Sequence, residues 1–167
     1  RLYIETLRRE PVTLTPKSRQ MIISTATLCL SLWEIMFEQS WRTILSKVTE
    51  EDAEELLENK VRFTYRKLPL WLRGQRTIPD RPKGKAVCLE TSSYILAAAQ
   101  NVADREARGG TGNRLIIDEA AYQDFTQKIV EAGQPMTQFL VLVTTPNVSY
   151  PGGRYVRRLI FDEEEDL

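Results

Sequence analysis

The chain has 167 residues, 42% of them hydrophobic, which suits one domain with a proper core. Lysine plus arginine and aspartate plus glutamate both number 23, so the formal charge is zero and no global basic field marks a nucleic-acid binder; any such contact must be local. The absence of histidine excludes imidazole catalysis and His-bound zinc, and Cys29 and Cys88, each in an apolar run without metal-ligand spacing, argue for a reducing compartment.

In chain order, residues 1–10 predict a helix cut off from something upstream, 12–15 a short strand, 16–20 a polar loop and 21–38 a long apolar helix. Ser24, Thr25, Thr27, Ser31 and Glu34 interrupt that helix, which makes it a buried one rather than a bilayer span. A strand over 41–46 precedes a helix opening at Thr49, where the hydroxyl can cap and Asp52 takes the capping-box position; Ala53, Leu56 and Leu57 supply its buried stripe. Residues 61–65 predict another short strand, and 68–85, with Pro69, Pro79, Pro82, Gly74 and Gly84, an irregular connection. Strand character resumes over 85–90, residues 97–107 are expected to be helical at least in part, and 109–112 form a flexible loop. Residues 115–121 and 139–143 predict buried strands. Strands alternating with helices, several apolar on both faces, predict an α/β fold with a mostly parallel sheet.

Two stretches carry candidate chemistry. Leu115-Ile116-Ile117-Asp118-Glu119-Ala120-Ala121 runs three apolar residues into adjacent carboxylates. One carboxylate can hold Mg²⁺ while its neighbour polarises a water attacking a γ-phosphate; the plainer alternative is a strand end followed by an acidic helix N-terminus. The loop Lys17-Ser18-Arg19-Gln20, with Ser24 and Thr25 behind it, lies where a phosphate-binding loop would lie before the long helix. Lys17 and Arg19 could neutralise phosphate oxygens and Ser24 or Thr25 place a hydroxyl on Mg²⁺, but the G-x-x-x-x-G-K-[ST] pattern is missing: Ile22 and Ile23 stand where its glycine and lysine would be, so a plain basic loop stays open.

Taken together, three stretches resemble the large terminase subunits of tailed bacteriophages, the ATPases that drive DNA into the capsid. Residues 16–24 are similar to the family's deviant Walker A, with Lys17 in an early position; residues 115–121 resemble its Walker B with the catalytic glutamate; and Val143-Thr144-Thr145-Pro146-Asn147 resembles its coupling motif. The resemblance implies a P-loop NTPase fold of the ASCE type, binding ATP and Mg²⁺. It gives Lys17 to the β/γ-phosphates, Ser18, Arg19, Gln20, Ser24 and Thr25 to the nucleotide loop, Arg19 to a cis arginine finger, Ser24 and Asp118 to Mg²⁺, Glu119 to water activation, and Thr144 and Thr145 to sensing the γ-phosphate. Implied partners are double-stranded DNA, the portal protein, the small terminase subunit and further copies of the chain in a ring on the capsid, in the cytoplasm of the bacterial host and with no membrane. Residues 1–167 would then be a truncated terminase-like ATPase domain, ending in an acidic tail from Asp162 without the C-terminal nuclease domain.

Between Arg62 and Lys85 lies a local basic segment in which Arg73, Arg76 and Arg81 could touch DNA phosphates; a solvated loop whose leucines pack on the sheet is the alternative. Two further readings stay open. One is a nucleotide-binding or assembly module with weak or no turnover; the other is a different P-loop DNA translocase or helicase.

Overall fold

The computed structural model describes residues 2–18, 22–108 and 112–161. Six strands, β1 (Val12–Pro16), β2 (Arg42–Lys47), β3 (Lys85–Cys88), β4 (Ser93–Ala99), β5 (Gly112–Asp118) and β6 (Thr137–Thr144), form one sheet in the order β1-β6-β5-β2-β4-β3. Every neighbouring pair is parallel except β3 on β4. The parallel strands therefore end at one common edge. The helices are α1 (Leu2–Arg9), α2 (Ile23–Phe37), α3 (Glu50–Leu56), α4 (Phe63–Lys67), α5 (Leu70–Arg73), α6 (Gln100–Arg108), α7 (Thr126–Gly133) and α8 (Pro151–Phe161).

Strand alternation divides the core in two. On β5, Ile116 joins Leu28, Ile35, Leu45, Leu57 and Val141 beneath α2 and α3, while Leu115 and Ile117 join Ala103, Ile129, Leu142 and Val156 beneath α6, α7 and α8. Helices thus cover both faces, which is why the central strands read as continuous apolar runs. No helix among the described residues is long and apolar enough to cross a membrane.

The structure departs from local expectation in several places. Residues 61–65 are not a strand: α3 runs on through a π-helical segment, Leu57–Arg62, into α4. Ala53, Leu57, Val61 and Tyr65 recur every fourth residue on one buried stripe, and that longer period overrides the short alternation around Phe63. The stretch 97–107 is helical in part, as expected, from Gln100 on; residues 97–99 belong instead to β4, where Ala97 and Ala98 pair with Leu45 and Ser46 of β2. Gly112, expected in a flexible loop, pairs with Thr137 as the first residue of β5. The rest of that loop, residues 109–111, and the acidic tail, 162–167, lie outside the described residues. Within the proline-rich connection, α5 is a single short turn that the prolines and glycines did not reveal.

The basic segment is largely tied to the protein itself. Arg62 is buried and donates to the carbonyls of Pro82, Lys83 and Lys85, pinning the irregular connection to the π-helical segment. Arg66 pairs with Glu58 and Asp80. Arg76 Nε donates to the Met36 carbonyl at 3.1 Å with its guanidinium over the Phe37 ring, and Arg73 lies over Tyr65. Arg81 is exposed.

At the edge opposite the strand C-termini, Arg114 of β5 is fully buried. It grips Glu34 of α2 through two hydrogen bonds, Nη2 to Oε1 at 2.6 Å and Nε to Oε2 at 3.0 Å, and donates a third to the Leu7 carbonyl at the end of α1. Burial pushes the Glu34 carboxyl above the usual carboxylate range, against the pull of the Arg114 guanidinium. Removing one partner strands the other in the core. Arg114→Leu is expected to lower unfolding free energy by about 3–5 kcal/mol in urea titrations, and the Glu34→Leu, Arg114→Leu double variant to recover much of that loss. A double variant no more stable than the single would disprove the ion-pair account.

Candidate active site

The strand C-termini bring together groups that are far apart in sequence. β5 ends on Asp118, and one residue beyond the Ser46↔Ile117 pair of the β2–β5 register stands Lys47. β6, between β1 and β5, ends on Thr144, opposite Pro16. Helix α2 starts at Ile23 after the loop that follows β1, so its first turn faces the same edge. This is the usual ligand crevice of a parallel α/β sheet.

Ser24 Oγ donates to Asp118 Oδ1 at 2.7 Å, joining the first turn of α2 to the acid strand. The other oxygen, Asp118 Oδ2, lies 3.5 Å from Lys47 Nζ, which also stands 3.3 Å from Glu119 Oε2. Burial lowers the Lys47 pKa, but the two carboxylates more than reverse this and hold it above the usual lysine range. The ammonium therefore stays charged. Glu119 has left-handed backbone, φ 57° and ψ 40°, which costs a residue with a Cβ about 1–2 kcal/mol. A chain reversal directly after the acidic pair imposes it: a 3₁₀ turn, Ala120–Tyr122, follows at once.

Buried side chains fix that reversal. Gln123 Nε2 donates to the carbonyls of Asp118 and Ser46, and its Oε1 accepts from Ser46 Oγ, so one amide ties the end of β5 to the end of β2. Thr144 Oγ1 accepts from the Ala121 N–H at 2.8 Å, while its carbonyl accepts from the Lys17 N–H at 2.8 Å. Thr144 thus touches both the start of the basic loop and the turn behind the acids. Thr126 Oγ1 donates to the Ala120 carbonyl.

A cleft of about 510 Å³ opens over this edge, lined by Lys17, Val48, Asp52, Glu119, Tyr122, Thr145 and Tyr150. The Tyr122 and Tyr150 rings pack with centroids 5.5 Å apart. Among the residues expected at the site, the structure brings Lys17, Ser24, Asp118, Glu119, Thr144 and Thr145 to this edge. Thr25 follows Ser24 in the first turn of α2, and Ser18 is exposed in the loop. Arg19 and Gln20 lie outside the described residues. Arg73, Arg76 and Arg81 are in the connection before β3 and do not line the cleft. Ile22, at the position of the missing glycine, has φ −75° and is exposed, so the backbone there needs no glycine. Lys47 and Gln123 carry no local signal in the sequence: Lys47 ends a strand whose register with β5 is set only by packing, and Gln123 resembles any polar turn residue.

Helix α8 closes the back of the site by backbone contact. A Cβ on Gly152 would stand 2.2 Å from the Gln123 carbonyl oxygen, and one on Gly153 1.5 Å from that of Asn147. Both neighbours are backbone and cannot swing aside. Gly153→Ala is expected to cost about 1–3 kcal/mol and lower the melting temperature, whereas exposed Val148→Ala should leave it unchanged. Equal melting of both variants would show that the approach of α8 is not tight.

A mostly parallel α/β sheet brings a loop-helix unit and an acid-bearing strand together at its C-terminal edge. No family model and no curated protein matches the sequence, but solved structures do. The large terminase of bacteriophage HK97 aligns with a TM-score of 0.68 at 14% identity, covering 96% of this chain and 35% of that one. A mutant ATPase domain of the Thermus phage P74-26 large terminase aligns at 0.60 and 15% identity, covering 88% and 65%. The large terminase of a thermophilic bacteriophage, in complex with ADP, aligns at 0.54 and 13%, covering 87% and 38%. The chain therefore has the fold of phage large terminase ATPase domains, and it spans less than two thirds of each of these proteins.

Proposed function

We propose that the chain is the ATPase domain of a phage DNA-packaging terminase, coupling ATP hydrolysis to movement of double-stranded DNA into a capsid. The observation that carries this reading is the 2.7 Å hydrogen bond from Ser24 to Asp118, which sets the hydroxyl behind a basic loop against the first acid of the β5 pair. The terminase fold and the ADP held by the thermophilic phage's enzyme support a nucleotide here.

The oxygen donors of Ser24 and Asp118 form a hard ligand set that suits Mg²⁺, an ion commonly held by one or two protein oxygens together with phosphates. When bound, Mg²⁺ would neutralise charge on the phosphate oxygens. Lys17, partly exposed at the cleft, takes the β/γ-phosphates, with Ser18, Gln20 and Thr25 completing the loop and Arg19 serving as a cis arginine finger. Glu119, at the cleft wall, accepts a proton from the attacking water. Thr144 and Thr145 pass the γ-phosphate state onward, because Thr144 joins the Lys17 amide to the turn behind the acids. The portal protein, the small terminase subunit and a ring of like subunits complete the motor in the host cytoplasm.

Glu119→Gln keeps the shape and removes the base. It is expected to bind ATP with unchanged affinity and to lose at least about 10²-fold in kcat. Wild-type steady-state hydrolysis by this variant would refute the assignment.

Arg73, Arg76 and Arg81 are the proposed contacts to the DNA backbone. Because Arg76 also secures Met36, the test uses Arg73→Ala, Arg81→Ala, which spares that bond. Duplex binding by the wild type should be sequence-independent and fall steeply with salt, and the double variant should bind more weakly with a salt slope shallower by about 2. Equal retention and equal slopes would remove DNA from this segment.

A further inference from the structure

Both oxygens of the Asp118 carboxylate are already engaged by the chain. Oδ1 accepts from Ser24, and Oδ2 faces the Lys47 ammonium, which also holds Glu119. Lys47 ends β2, a strand hydrogen-bonded on both sides by β4 and β5, so its Cα is fixed and only the side chain can swing. A divalent cation approaching the same carboxylates meets a positive charge within about one ion-pair distance. From these contacts we infer that Lys47 is a built-in counter-cation. It competes with a divalent metal for the Asp118–Glu119 pair and must be displaced from these carboxylates before the metal can bind.

This inference rests on the reading of Asp118 as the metal-holding acid, and it adds a residue for which the phosphate-loop pattern makes no provision. It also accounts for the charge balance of an acid pair at the end of an apolar strand. Two adjacent carboxylates without the ammonium would repel one another and loosen the turn that Gln123 and Thr144 hold. The ammonium neutralises the pair without a metal and draws Glu119 toward β2. Displacement of Lys47 frees Glu119 for its part in proton transfer and leaves an ammonium at the mouth of the site, where it can meet phosphate oxygens.

The test uses Mn²⁺ alone, without nucleotide, counted by the electron paramagnetic resonance signal of the free ion. Lys47→Met is expected to bind Mn²⁺ about tenfold more tightly than the wild type, because one nearby positive charge is gone, and Lys47→Arg to match the wild type. In metal-free buffer Lys47→Met should melt below the wild type, with saturating Mn²⁺ narrowing the gap. Should it fail to fold without metal, Lys47→Gln, which keeps a hydrogen-bonding group against the carboxylates, carries the same comparison. Equal Mn²⁺ affinity in wild type and variant, with Asp118→Asn abolishing binding in both, would overturn this role of Lys47 and spare the proposed function. Mn²⁺ binding indifferent to Asp118→Asn would overturn both.

Discussion

One helix is pinned at both ends along one strand. Near its start, α2 donates from Ser24 to Asp118; near its end it receives the Arg114 fork on Glu34. The helical rise from Ser24 to Glu34 is about 15 Å, and the strand rise from Arg114 to Asp118 about 13 Å, so the two clamps fit one alignment of α2 on β5. A slip of one helical turn, about 5.4 Å, would break both and leave a buried guanidinium and carboxylate without partners. The apolar contacts of Leu28, Leu30, Leu32, Ile35 and Met36 on α2 are non-directional, and the polar clamps select the alignment. The placement of the first turn of α2 over the acid strand, and with it the whole cleft, follows from that selection.

The site then assembles from parallel strand ends, because parallel topology carries every C-terminus to one edge. Charge is balanced there locally. Lys47 faces two carboxylates, and the amide of Gln123 and hydroxyl of Thr144 satisfy backbone groups that the chain reversal after Glu119 would otherwise leave unpaired. The left-handed Glu119 sits where the ladder stops and the turn begins, and these buried bonds on either side hold it in place. The glycines of α8 complete the arrangement by allowing helix backbone to lie directly on the carbonyls of Gln123 and Asn147.

By itself the sequence determined the class of fold and marked half of the candidate site. The apolar runs that became β5 and β6, the long helix α2, the Thr49 cap that accepts from the Asp52 N–H, and the acids at the end of β5 are local signals, written in period, propensity and capping chemistry. The basic loop, Ser24 and Thr144 could be placed for the same reason, since each flanks an element whose type was legible. Tertiary structure alone decided which strand lies beside which, and therefore that Lys47 meets Asp118 and Glu119, that Arg114 finds Glu34, that Arg62 is spent inside the protein, and that the Nε of Arg76 is tied to the Met36 carbonyl. A charged residue carries no mark of its partner in its neighbours; pairing between residues 71 or 80 positions apart depends on register and helix alignment, which only the packed core fixes. The helical stripe of Ala53, Leu57, Val61 and Tyr65 reads as a strand over residues 61–65 for a related reason: a five-residue window cannot separate a strand's alternation from a helix's fourfold spacing until the surface it packs on is known.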